Sequence, residues 1–336
     1  MGLSLRKYIL LRVALIIPMA VLIISIVFFL MRILPGNPAL AILGEEATPE
    51  AVEALMEKMG LNKPLHEQYI DMWIGILQGN LGNSLRTGGL VLEEILSRLP
   101  ISLELLLGGY IIGNILAILL GAETARRGGL FDLVGRSYSI LGYCIPVFWL
   151  GMMLQIAFSV NIPIFPVQGV ISPMIQLKRI TGFYILDSII SGNFDALIDV
   201  LAHYTLPWIT LIIWYSAVNS RVLRADMIEV LNRPFIITAV AKGLPDNVIV
   251  YKHALKNAII PVLTIMGLQF ARAIAGLILT ETVFNIPGMG RLLYESILDR
   301  DYPLVQGLMV FFVAIIAIVS LLIDIALAYI DPRIRY

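Results

Sequence analysis

One cysteine, three histidines, a charged fraction of 14% and a net charge of zero mark what this 336-residue chain has little of. A lone Cys144 excludes an intrachain disulfide and a cysteine-based zinc cluster. His66, His203 and His253 stand far apart in the chain, so no metal centre is expected from them. Lys and Arg number 24 against 24 Asp and Glu, which leaves no basic field for nucleic acid. No G-x-x-x-x-G-K-S/T loop occurs, so the chain is not expected to bind or hydrolyse ATP, and no cofactor is expected. No Ser/His/Asp set or acid pair marks a membrane-embedded hydrolase. What is abundant is apolar: 59% of residues are hydrophobic. Soluble domains carry roughly a quarter charged residues, and disordered chains are poor in apolar ones, so both classes are excluded. A polytopic membrane protein remains.

Six stretches approach the roughly 20 mostly apolar residues that cross a bilayer: Leu10–Met31, Ile101–Ala122, Ser137–Val160, Tyr204–Leu223, Ala258–Leu279 and Leu304–Ile330. The first is too long for a cleaved leader and is read as a retained span. Segments 1–12, 123–136, 221–257 and 331–336 hold 14 Lys/Arg in 69 residues, against 9 in the 136 residues of 32–100, 161–203 and 280–303. The positive-inside rule therefore puts the first set, with both termini, in the cytoplasm.

The loops have structure of their own. Thr48-Pro49-Glu50 reads as a helix start, with Gly60 as its stop. A second short helix is expected over His66–Leu77, closed by Gly79. Segment 162–200 is a long outer excursion. In the inner segment, Arg224–Val240 reads as helix, Gly243 as a breaker and Asp246 as the cap of a new helix reaching Leu255. On that helix Val248, Tyr251 and Leu255 form an apolar stripe, to be covered by the protein's own spans, the headgroup layer or a partner.

Here the residues become familiar. Thr238-Ala239-Val240-Ala241-Lys242-Gly243-Leu244, followed by His253-Ala254-Leu255-Lys256-Asn257-Ala258-Ile259-Ile260-Pro261, resembles the EAA loop of ABC-importer permeases. The closer likeness is to the dipeptide/oligopeptide/nickel permease family. Leu34-Pro35-Gly36-Asn37-Pro38, Gly79-Asn80-Leu81-Gly82-Asn83-Ser84, Ile145-Pro146-Val147-Phe148-Trp149, Glu281-Thr282-Val283-Phe284, Arg300-Asp301-Tyr302-Pro303 and the ending Asp331-Pro332-Arg333 match as well. Ile237 stands where the loop's name-giving glutamate would be.

The resemblance implies an all-α type I permease fold of six transmembrane helices. Residues 1–97 would form the first helix plus an extracytoplasmic segment, 98–330 the permease core with a coupling loop at 224–257, and 331–336 a cytoplasmic tail. It also implies a permease subunit of an ATP-driven importer in the cell membrane, most simply for di- or oligopeptides, with oligosaccharides or nickel as alternatives. Its partners would be a second, similar permease, two cytoplasmic ATPases and an extracytoplasmic binding protein. ATPase coupling would fall to Thr238, Ala239, Ala241, Lys242, Gly243, Val248, Tyr251, His253, Leu255 and Pro261. A stand-alone secondary transporter is the rival class, but the paired intramembrane charges and matched broken spans expected of it are not seen.

Charges inside spans are functional candidates. Arg272 lies about 21 Å into the fifth span at 1.5 Å per residue. It would meet a substrate carboxylate in the pathway, snorkel outward, or pair with Glu281. Glu104, four residues into the second span, is expected at the interface. Pro146 is expected to kink the third span. Residues 283–303 read as an outer turn, a shallow gate or a plain loop.

Overall fold

A computed structural model describes residues 5–33, 36–44 and 47–330. The tail at 331–336 lies outside the described residues. Among the described residues, five helices are long and apolar enough to cross a membrane, and a sixth crossing is supplied if a bent pair counts as one span. The five are α1 (Leu5–Ile33), α5 (Val91–Arg127), α9 (Phe194–Leu231), the helix that becomes α11 (Leu255–Gly276), and α14 (Tyr302–Ile330). The pair is α6 (Gly129–Cys144) and α7 (Val147–Gln155), which runs on through wide turns to Asn161. Its halves meet at 99°, around Ile145 and Pro146. This exceeds the expected kink. Proline cannot donate to the carbonyl four residues back, and it drives the preceding residue out of the helical region; Ile145 is extended, with ψ 124.

The axis of the bundle is the pair α5 and α9. They meet along a face where Gly113 lets the backbone of Ile212 come close: a Cβ on Gly113 would lie 3.2 Å from the Ile212 Cα. Ile101, Leu105 and Leu106 of α5 and Tyr204, Leu206 and Leu211 of α9 are buried in the main core. A second apolar cluster joins Ala122 of α5 and Leu223, Met227 and Val230 of α9 to Ile249, Val250 and Ala258.

The non-spanning elements gather at the outer ends of α1, α5 and α14. α3 (Pro49–Lys58) begins as the sequence suggests, with the Thr48 hydroxyl accepting from Ala51 N at 3.4 Å. α4 (Leu65–Leu77) follows. Asp301, buried just before α14, accepts from the Ser84 hydroxyl at 2.5 Å and from Leu85 N at 2.9 Å. That carboxylate fastens the loop before α5 to the start of the last span. The segment before α9 folds around two carboxylates. Glu104 is buried rather than interfacial, and accepts from Tyr184 N at 2.9 Å and Ile185 N at 2.8 Å. It thereby caps α8 (Tyr184–Ile190), whose first N–H groups have no helical acceptor. Asp187 gathers Ile180 N, Thr181 N and Gly182 N. Burial pushes its carboxyl up, but these hydrogen bonds outweigh that and hold it below the usual carboxylate range.

Segment 283–303 is neither a plain loop nor a surface turn. α12 (Ile278–Val283) and α13 (Met289–Leu298) form a helical hairpin whose Phe284, Ile286, Met289, Leu292 and Leu293 enter the main core. Five apolar residues at that spacing carry enough buried surface to anchor both short helices.

Candidate functional site

At the far end of α5 from that hairpin the chain makes an exposed elbow. α9 stops at Leu231, because Pro234 opens the next helix, α10 (Pro234–Ala241), as its first residue. The single helix expected over Arg224–Val240 is thus two, broken at Asn232 and Arg233. Gly243 takes φ +74, a left-handed conformation suited to glycine, and ends α10 as expected.

After Pro245 the chain does not form a separate short helix. Val248–Ala254 is wound in wide turns that run directly into α11. In such turns hydrogen bonding is i→i+5, so a stripe counted at 3.6 residues rotates off its expected face. The buried residues are Ile249, Val250 and Ala254. Val248 and Leu255 are half-buried, and Leu255 packs against the second apolar cluster. Tyr251 is exposed, and its hydroxyl donates to Glu123 at 2.5 Å. The apolar surface that does face outward lies on α10 and the turn: Phe235 41%, Ile237 62%, Val240 58% and Leu244 36% exposed.

Of the residues singled out in the coupling loop, Ala241, Lys242 and Gly243 sit exposed on the elbow. Ala239 is buried beneath it. The Thr238 hydroxyl donates to Pro234 O at 3.1 Å and so serves its own helix. His253 is half-buried and Pro261 is exposed on α11. The end of α5 grips the elbow. Arg126 donates to Asn247 Oδ1 at 2.7 Å and lies 3.4 Å from Asp246 and 3.3 Å from Glu123. Sequence reasoning passed over Glu123 and Arg126; their only signal was a dense charge cluster closing an apolar run.

At the opposite end, Glu281 is fully buried. The Ser102 hydroxyl donates to it at 2.6 Å and Arg291 N at 2.9 Å. Met289 N in turn donates to Ser102 Oγ at 2.7 Å. Burial pushes the Glu281 carboxyl up to about 7 against the pull of these donors. It joins α5, α12 and α13. None of its hydrogen bonds involves Arg272, which is exposed on α11 and has no ion pair among the described residues. The two candidate pathway residues are therefore not brought together.

Between the two ends lies a polar cluster that no sequence motif marks. Asn219 of α9 donates to Asn114 Oδ1 of α5 at 2.6 Å and to Gln269 Oε1 of α11 at 2.9 Å. Tyr110 donates to Met266 O at 2.5 Å. Neutral amides in apolar runs were the available signal. They join three spans where water is scarce and an unpaired amide is costly.

Two family models match the chain. Residues 113–336 match the binding-protein-dependent transport system inner membrane component, and residues 5–106 match the N-terminal region of the same kind of membrane component. The chain is 39% identical to the dipeptide transport system permease protein DppB of Alkalihalophilus pseudofirmus, over 97% of this chain and 98% of that one. It is 38% identical to the di/tripeptide transport system permease protein DppB of Pseudomonas aeruginosa, over 97% of each. It is 35% identical to the glutathione transport system permease protein GsiC of Pectobacterium atrosepticum, over 95% of this chain and 96% of that one.

Proposed function

Because this chain belongs to the family of binding-protein-dependent transport system inner membrane components, we propose that it forms half of the pathway of an ATP-driven importer of di- or oligopeptides. The observation that carries the reading is near-complete coverage: peptide permeases align with 97% of the chain at 38–39% identity. The other half is a second, similar permease. Two cytoplasmic ATPases supply the energy, an extracytoplasmic binding protein delivers the peptide, and this chain is not itself an enzyme. The termini and the elbow face the cytoplasm, as the Lys/Arg distribution favours.

In this reading the elbow docks the ATPase. The residues offered for coupling at 238–261 divide into a contact surface and its support. Lys242, with the apolar side chains of Ile237, Val240 and Leu244, makes the contact; Ala239, Val248 and Leu255 hold the elbow on the spans. Closure of the ATPases pushes the elbow, and its grip on Arg126 and Glu123 passes the push to α5. The spans then rock between outward and inward openings.

Since Leu255 packs inward, Leu255→Asp would damage the protein's own cluster as well as any docking. Val240→Asp is the cleaner test. A docked valine contributes about 1.5–3 kcal/mol, and a buried charge costs more. Docking should weaken at least about tenfold by the 1.4 kcal/mol rule. Pull-down of the ATPases and ATP hydrolysis in reconstituted vesicles read this out. Wild-type values for both would remove the elbow from the docking surface.

A further inference from the structure

A cavity of about 530 Å³ opens beside the outer end of α1, within the size range of small-molecule sites. Arg32 lines it. The guanidinium lies over the Phe28 ring, 3.5 Å from its centroid, and 5.3 Å from that of Tyr302. Nε donates to Gln68 Oε1 at 2.9 Å and Nη1 to Phe28 O at 3.2 Å. Both acceptors are neutral, and among the described residues no carboxylate pairs with Arg32. A guanidinium has five N–H donors, so three are left over.

Gln306 also borders this cavity, with its Nε2 closed off from it. The spare donors of Arg32 therefore lack what they need, an oxyanion. Glu57 supplies the opposite sign at the exposed rim and makes no ion pair among the described residues. The other charges there, Lys63 and Asp71, satisfy each other at 2.7 Å. Removing a cation from water without a counter-charge is unfavourable, so the arrangement is completed by a ligand that brings one.

We propose that this cavity holds a short peptide as its zwitterion, the carboxylate on Arg32 and the ammonium toward Glu57. The proposal rests on the reading of the chain as a peptide permease. It adds a peptide contact made by the permease itself, at the outer ends of α1 and α14.

The test uses the complete transporter in nanodiscs without its binding protein, and radiolabelled dialanine as probe. Arg32→Gln should weaken retention at least tenfold. On the unaltered protein, dialanine amide, which lacks the carboxylate, should compete at least tenfold less well than dialanine. N-acetyl-dialanine should compete several-fold less well, and that difference should vanish in Glu57→Gln. No retention, or equal competition by the amide, overturns the proposal without depending on any variant folding. Phosphatidylethanolamine retained in native mass spectra, lost in Arg32→Gln and not displaced by dialanine, overturns it in favour of a lipid. ATP-driven dialanine uptake with the binding protein separates the two claims. Uptake without Arg32-dependent retention removes the cavity alone; retention without uptake removes the importer reading and leaves the cavity.

Discussion

Glu281 and Arg272 show how differently two charged residues nine positions apart are used. Glu281 is buried, with a carboxyl raised to about 7 by its surroundings, above an unfolded value near 4.3. The folded state thus binds the proton more tightly, and this group favours the fold most below about pH 4; the advantage fades as pH rises through 7. Thermal midpoints in detergent should fall between pH 5.5 and pH 8, and Glu281→Gln, fixed in the neutral form, should flatten that fall. An unchanged slope in the variant would mean that the carboxyl titrates elsewhere. Arg272 is exposed and pairs with no acid among the described residues, in a span whose sequence puts it at a depth where an arginine costs roughly 3 kcal/mol on insertion scales. If it meets the peptide, Arg272→Ala should lower uptake while pull-down of the ATPases stays normal. Normal uptake would leave it a snorkelling side chain.

Among the elements, the cap supplied by Glu104 predicts a local loss. Glu104→Ala leaves the N–H groups of Tyr184 and Ile185 without their acceptor, at about 1–3 kcal/mol each. α8 should open before the spans do, and faster amide exchange confined to about 180–192 would register it; unchanged protection there would deny Glu104 that role. The sequence reading reached α3 and α4 almost to the residue, because Thr48, Pro49, Gly60 and Gly79 are local signals that act within one turn. Five of the six apolar stretches fall on long apolar helices, because sustained hydropathy needs no tertiary context, and the third falls on the bent pair α6 and α7. The sequence reading missed the α12–α13 hairpin, whose helices are stabilised by burial against α5 rather than by their own pattern. It misplaced the stripe at 248–255, because periodicity assumes the α-helical repeat and the chain there is wound wider. A domain boundary at 97 falls within α5, a helix long enough to belong to both regions. Glu104 looked interfacial because four residues from the end of an apolar run is not four residues from the end of the helix.

For the whole molecule, the arrangement of crossings yields a labelling prediction. With Cys144→Ala as background, a cysteine at Glu57 should react with an impermeant maleimide in intact cells, and one at Asp246 only after permeabilisation. Equal reaction at both would overturn the orientation. The close packing of α5 on α9 bears on the same scale. Gly113→Leu must displace Tyr215 and the Ile212 backbone, since a Cβ there already meets both at 3.0–3.2 Å. Overpacking of this kind costs about 1–3 kcal/mol or more. The variant should lose pairing with the second permease along with uptake and ATPase pull-down, whereas Val240→Asp should lose the last two and keep the pairing.

The two central helices also have a mechanical meaning. At 37 and 38 residues they are each about 56 Å long at 1.5 Å per residue, against roughly 30 Å of hydrocarbon. The excess puts the elbow contacts at one tip and the Asp301, Glu104 and Glu281 fastenings near the other. A rigid rod of that length turned by about 5° sweeps its far tip through about 5 Å, close to one helical pitch. The pair is a lever: a tilt too small to disturb the side-chain interdigitation around its pivot moves the ends by the height of a whole turn.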